Sequence, residues 1–169
     1  MPKSAKDFFL EHYDHEHEVT MKVLRAYPQD QLDLKPAEKS NSARQVAWIF
    51  VLERYLGTKV WNDEFAKGTT QVTGKPPAPP ESWDDLLAML EKAHQEFREV
   101  IAAASEEDLN GVVHFFTGPK TMGDITRIDW LWFLLHDQIH HRGQFSVYVR
   151  MAGGKLPSIY GPTADEPWV

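Results

Sequence analysis

The chain has 169 residues, of which 42% are hydrophobic, and this is enough for one domain with a buried core. Six Trp, nine Phe and five Tyr exclude a disordered chain. A net charge of −7 without a basic cluster argues against nucleic acids and anionic membranes as partners. The absence of Cys excludes disulfides and Cys-bound zinc. Since the sequence also lacks a signal-like or membrane-spanning apolar run, we expect a cytoplasmic protein.

Amphipathic periodicity predicts four helices, separated by segments rich in Pro and Gly. Pro28 ends the first helix, and Asn41 or Ser42 caps the second. Asp84 and Asp85 lie in the first turn of the third, where the helix dipole favours anions. The predicted helices cover residues 5–26, 42–66, 82–105 and a last stretch that begins at 122–124 and ends near 152.

The segments between these helices complete the prediction of an all-α four-helix bundle, with the whole chain 1–169 as one domain. Residues 68–80 contain the run PPAPP and are long enough for a crossover between helices. The run VVHFF at 112–116 is typical of a short strand or an apolar plug. The irregular tail 153–169 is expected to pack on the bundle or on a partner chain through Ile159, Tyr160 and Trp168.

Two apolar stripes each contain one polar residue. Glu53 lies at the centre of the stripe of the second helix, where a carboxylate must be paired, protonated or bound to a cation. An ion pair with an Arg of a neighbouring helix would satisfy it, and so would a metal. His17 lies in the stripe of the first helix, and such a His is more often a hydrogen-bonded core residue than a ligand.

The last helix carries the densest set of polar residues in an otherwise apolar segment, WLWFLLHDQIHHRGQ. His136 and His140 are four residues apart, as are Asp137 and His141, so each pair stacks on one helix face. Divalent metals use this spacing because two ligands can then share one ion. A buried hydrogen-bond network that only fixes helix packing would use the same residues.

Three runs of this sequence resemble the DinB/YfiT-like family. HDQIHHRGQFSVYVRMAGGKLPSIYGP is similar to the family's C-terminal motif, SARQVAWIFVLERYL to its second helix, and LRAYPQDQLDLKP to the end of its first helix. The resemblance implies a four-helix bundle, often a homodimer, that holds a divalent metal with three His. The resemblance also implies a possible activity class, because some relatives are thiol-dependent transferases or isomerases that use small thiols such as mycothiol or bacillithiol. The family's link to DNA damage concerns induction, which implies a stress response and no DNA chemistry.

The family's ligand positions match this chain only in part. Its last His corresponds to His141, the His one turn earlier to Asp137, and the His of the second helix to Ile49. In one interpretation Glu53 replaces the missing ligand, and Glu53, Asp137 and His141 bind zinc, nickel, iron or manganese. His140 is then an alternative ligand or an outer partner. This interpretation predicts a metal-dependent transferase or hydrolase for a small molecule. The alternative is a non-catalytic bundle that has lost the metal and binds a ligand or a protein.

Overall fold

The computed structural model describes residues 3–66 and 78–169. Of the helices in this part of the chain, none combines the length and the apolar character that crossing a bilayer requires. The described elements are the helices α1 (Ala5–Arg25), α2 (Ala43–Trp61), α3 (Trp83–Ala103), α4 (Glu106–Asn110) and α5 (Arg127–Met151), the 3₁₀ turn Gln29–Gln31 and the strands β1 (Val112–Gly118) and β2 (Thr121–Thr126). The four long helices confirm the predicted helical bundle.

Side-chain caps explain where the helices begin. The Ser42 hydroxyl accepts from the Gln45 backbone N–H, and the Gln45 side chain accepts from the Ser42 N–H, which makes a full capping box. The end of α2 was predicted at residue 66 and lies at Trp61 instead. Asp63 has a left-handed φ of 53°, which a helix cannot continue. Its carboxylate accepts from the His114 backbone N–H at 2.8 Å and so ties this turn to β1.

The predicted start of the last helix at residues 122–124 is wrong, because this segment forms strand β2. It pairs antiparallel with β1, so the short strand expected at 112–116 is one half of a hairpin. Val113 of β1 is buried, and Lys120, in the turn between the two strands, takes a left-handed φ of 60°. The helix begins only at Arg127, where the Thr126 hydroxyl accepts from the Asp129 N–H.

The helices form a ring in the order α1, α3, α2, α5, in which the neighbours α2 and α3 are parallel. Arg44 at the start of α2 donates to the Pro80 carbonyl just before α3, at 2.8 Å. Further along α2, Gly57 lies against the Phe97 ring of α3, so the two helices run in the same direction. Parallel neighbours require a connection that returns along the bundle. The crossover predicted at 68–80 lies largely outside the described residues.

The interior is divided into two apolar cores. One contains Trp83 and Phe145, and the other contains Phe97 and Trp130. On each long helix, buried polar residues lie in the sequence between the residues of the two cores. We call these residues the polar belt; its members are Glu16, His17, Thr20, Glu53, Arg54, His94, Gln138 and Arg142. The belt therefore crosses the middle of the bundle and includes Glu53, the buried carboxylate of α2.

The tail beyond α5 returns to the bundle mainly through polar contacts. Ile159 packs against the first core, and the Tyr160 hydroxyl donates to Glu16 Oε2 at 2.7 Å. Glu166 pairs with Lys22 of α1 at 3.0 Å. Trp168 is 63% exposed and donates its indole N–H to Ser158 within the tail, so it does not pack on the bundle of its own chain.

Candidate metal centre

Glu53 lies in the buried middle of α2 and is 7% exposed. Neither carboxylate oxygen has a hydrogen-bond partner. One interpretation of the sequence was an ion pair between Glu53 and an Arg of a neighbouring helix. Among the described residues no Arg pairs with Glu53, and its ion-pair partner is His141. Burial raises the pKa of the Glu53 carboxyl well above its usual range; the Arg54 charge opposes this, and Asp137 adds to it. An ionised Glu53 therefore requires a positive charge nearby.

Helix α5 brings two further ligand-competent side chains to Glu53. His141 Nε2 lies 3.7 Å from Glu53 Oε1 and 3.7 Å from Asp137 Oδ2. These distances are too long for hydrogen bonds. One ligand atom from each of the three residues lies within 4.8 Å of the others. The side chain of His141 is 18% exposed and that of Asp137 is 43% exposed, so the cluster opens to solvent on the Asp137 side.

Gln144 sets the orientation of the His141 ring. Its amide oxygen lies 3.1 Å from His141 Nδ1, so Nδ1 carries the proton and Nε2 presents a lone pair to the two carboxylates. The Gln144 amide nitrogen lies 2.8 Å from Nε2 of His140. His140 is exposed and is not brought into the cluster, because neighbouring residues on a helix point about 100° apart. His136 is also exposed, so it does not join the cluster.

The cluster fits a divalent cation by its donors and by their spacing. Two carboxylates and a neutral imidazole suit zinc, iron or manganese. Ligand atoms of a tetrahedral zinc site lie roughly 3.3 Å apart, close to the 3.7 Å separations of His141 Nε2 from both carboxylates. The two unpartnered oxygens of Glu53 are the buried acceptors that a cation would satisfy.

The sequence model of the DinB family matches residues 1–168. The chain belongs to the DinB family. It is 26% identical over 161 residues to the uncharacterized protein YrdA of Bacillus subtilis, and the match covers 95% of this chain and 90% of YrdA.

Solved DinB-like structures share this fold. A DinB-like protein from Bacillus cereus superimposes with a TM-score of 0.72 at 24% identity, covering 90% of this chain and 95% of that one. YfiT from Bacillus subtilis superimposes with a TM-score of 0.66 at 14% identity, covering 90% of each chain. YfiT is described as a "probable metal-dependent hydrolase" with an "unusual four-helix bundle topology".

A second part of the polar belt lies where α1, α2 and α3 meet. The rings of His17 and His94 stack in parallel with centroids 3.8 Å apart, and Tyr13 stacks on His94 at 4.4 Å. Arg54 Nη2 lies 3.4 Å from His17 Nδ1. Sequence reasoning placed His17 in a core stripe but missed His94, although His94 lies four residues after Leu90 in the equivalent stripe of α3.

Burial, together with the neighbouring His17, Arg54 and Arg98, lowers the pKa of the His94 ring to about 2. Burial, followed by the Arg54 charge, lowers the pKa of His17 to about 4. Both rings are therefore neutral at pH 7, and the stacked pair packs like two aromatic side chains.

A third part of the belt joins the tail to the body of this DinB chain. Arg142 donates to Glu16 Oε2 at 2.6 Å and to the Glu16 backbone carbonyl at 3.2 Å. Its second terminal nitrogen contacts the Tyr160 hydroxyl, and its guanidinium lies 5.0 Å from the centroid of the Tyr160 ring. The Arg of the HHRGQ motif thus pairs α5 with α1 and holds the tail, and it does not enter the metal cluster.

Proposed function

We propose that this chain binds one divalent metal ion through Glu53, Asp137 and His141 and acts as a metal-dependent hydrolase on a small molecule. The supporting observation is the buried Glu53 carboxylate, which lacks a hydrogen-bond partner and faces His141 and Asp137. The likeness to YfiT, a "probable metal-dependent hydrolase", adds support for the reaction class.

When bound, a divalent ion supplies Lewis-acid chemistry that activates water as a nucleophile near neutral pH. The residues around the site would bind the ion and orient its ligands. Glu53 provides a buried carboxyl group that a bound cation would keep ionised, and Gln144 holds the His141 ring with its free lone pair toward the carboxylates. Asp137 lies at the solvent-open side, where a substrate approaches. The exposed His140, bonded to Gln144, can exchange protons with solvent.

Metal content tests the proposal most directly. Protein purified without a His tag should bind zinc, iron or manganese with a stoichiometry near one ion per chain, measured by plasma mass spectrometry after dialysis. His141→Ala should lose the metal and remain folded, because the two apolar cores do not depend on one partly exposed ligand. His140→Ala is the matched control: it removes the neighbouring exposed imidazole and should keep the metal.

The alternative, a non-catalytic bundle without metal, predicts different results for the same proteins. The parent would bind no metal, and His141→Ala would change only stability, by about 1–3 kcal/mol. A parent that stays metal-free with zinc, nickel, iron and manganese would overturn the proposal. Loss of the metal in His140→Ala but not in His141→Ala would overturn the assignment of ligands.

A chromogenic ester, with and without an added small thiol, tests the reaction class. Hydrolysis that a chelator abolishes and that His141→Ala lacks would support a hydrolase. If turnover requires the thiol and yields its conjugate, the chain is instead a transferase. If the metal-loaded parent shows no chelator-sensitive reaction with either acceptor, the hydrolase assignment for this substrate class is wrong.

A further inference from the structure

Arg54, the residue after Glu53, is a buried cation without an acidic partner. It is 2% exposed, and no carboxylate of the described residues lies within ion-pair distance of it. One terminal nitrogen donates to the Phe50 carbonyl at 2.8 Å, and the other lies 3.4 Å from His17 Nδ1. The guanidinium lies 5.6 Å from the centroid of the Tyr13 ring. Its Nε has no hydrogen-bond partner.

The rest of the chain does not supply the missing anion. A guanidinium cannot lose its proton at physiological pH, so burial cannot be relieved by neutralisation. Residues 1–2 and 67–77, which lie outside the described part, contain neither Asp nor Glu. The C-terminal residue Val169 is fully exposed. A buried charge of this kind is strongly disfavoured unless a counter-ion is bound.

A cavity between α2 and α3 places this cation next to apolar surface. The cavity has a volume of about 470 Å³, and Arg54 forms part of its wall. Its wall also includes Val51, Lys59, Met89, Lys92, Ala93 and Glu96. Volumes of several hundred Å³ with mainly apolar walls and a few polar groups are typical of small-molecule sites.

The two lysines of this cavity are already paired. Lys59 binds Glu64 at 3.0 Å, and Lys92 lies 3.7 Å from Glu96. Among the lining cations, Arg54 is therefore the one without a carboxylate in the described residues. Because both lysines are paired, the uncompensated charge of the wall is that of Arg54, and this charge favours an anion.

We propose that this cavity binds a small carboxylate with an apolar body. The carboxylate pairs with the charge of Arg54, which forms part of the cavity wall. The apolar body packs against Val51, Met89 and Ala93. The site is separate from the metal centre, because Glu53 faces α5 whereas Arg54 contacts residues of α1.

Octanoate is a suitable probe, with octan-1-ol as the uncharged ligand of equal chain length. Calorimetry and ¹H–¹⁵N NMR titrations should show saturable octanoate binding that shifts the amides of α2 and α3 around the cavity, and weaker binding of octan-1-ol. Arg54→Gln should weaken octanoate binding by at least about tenfold, since it removes a charge-assisted hydrogen bond. Arg25→Gln removes an exposed Arg of α1 and should leave binding unchanged.

A second variant keeps the test informative if Arg54→Gln folds poorly. Ala93→Phe fills the cavity from the α3 side while Arg54 remains, and it should also abolish octanoate binding. Loss of binding in these variants but not in Arg25→Gln supports the site. Equal octanoate binding by the parent and either cavity variant overturns the proposal. The absence of saturable binding by the parent up to about 10 mM octanoate overturns it as well.

Discussion

The stacked pair of His17 and His94 predicts that acid destabilises the fold by a calculable amount. In the unfolded chain both rings titrate near pH 6.5, whereas in the folded chain the pKa of His17 is about 4 and that of His94 about 2. Between about pH 6.5 and pH 4 the unfolded state binds more protons at both rings, so stability falls as the pH falls. Below that range, down to about pH 2, only His94 still contributes.

The size of the effect follows from these pKa values. Between about pH 7 and pH 5, each ring should lower the free energy of unfolding by roughly 2 kcal/mol, because the unfolded chain gains a proton that the folded chain refuses. Urea unfolding in EDTA, followed by far-UV circular dichroism, measures this loss without any contribution from metal. His94→Gln should reduce the loss between the two pH values by about 2 kcal/mol relative to the parent.

The exposed His15 of α1 provides the matched control. His15→Gln removes a titratable ring that solvent surrounds, so its loss of stability between the two pH values should equal that of the parent. If His94→Gln and the parent lose the same free energy of unfolding between the two pH values, the buried ring accepts a proton in the folded state near its ordinary pKa. The assignment of a neutral stacked pair would then be refuted.

Three further predictions concern packing, the tail and metal release. Gly57→Ala should lower the free energy of unfolding by about 1–2 kcal/mol, because a Cβ there meets the Phe97 ring at 2.9 Å. Gly143→Ala should raise it by up to about 1 kcal/mol in the same urea titration, because a Cβ there has no neighbouring atom within 4 Å. Tyr160→Phe should cost about 1–2 kcal/mol, since Arg142 loses an acceptor; unchanged stability would mean that the tail contact is not formed in solution. Metal held by the cluster should be released as the pH falls, because protons compete for imidazole and carboxylates; retention near pH 4, measured by mass spectrometry after dialysis, would contradict those ligands.

Periodicity was sufficient to predict the four long helices, although not all of their ends, because their apolar stripes and Ser caps are local signals. The hairpin was harder: the TMGDIT segment of β2 lacks apolar alternation and is a strand only because β1 pairs with it. The end of α2 was misplaced because Phe65 and Ala66 continue the apolar pattern beyond Asp63, whose left-handed backbone no pattern reveals. The expected homodimer and the cytoplasmic location stay predictions.

The proximity of Glu53 and His141 could be expected from the sequence, because a polar residue in an apolar stripe must face a partner across the bundle. The contacts of Arg54 could not be expected from the sequence. This residue lies off the stripe of α2, and its neighbours depend on the order of the helices in the ring, which periodicity does not determine. His94 was within reach of the same stripe argument that identified His17.

The polar belt also has a consequence for how the helices are aligned along the bundle axis. Apolar surfaces alone tolerate sliding, since one leucine or phenylalanine replaces another with little change in burial. If α2 moved by one turn, about 5.4 Å, Glu53 and Arg54 would leave the middle of the bundle and lie against one of the two apolar cores. The same displacement of α5 would separate Arg142 from Glu16. We therefore expect the polar groups halfway along each helix to fix a single axial register, while the apolar residues at the two ends of the bundle can vary without misaligning it.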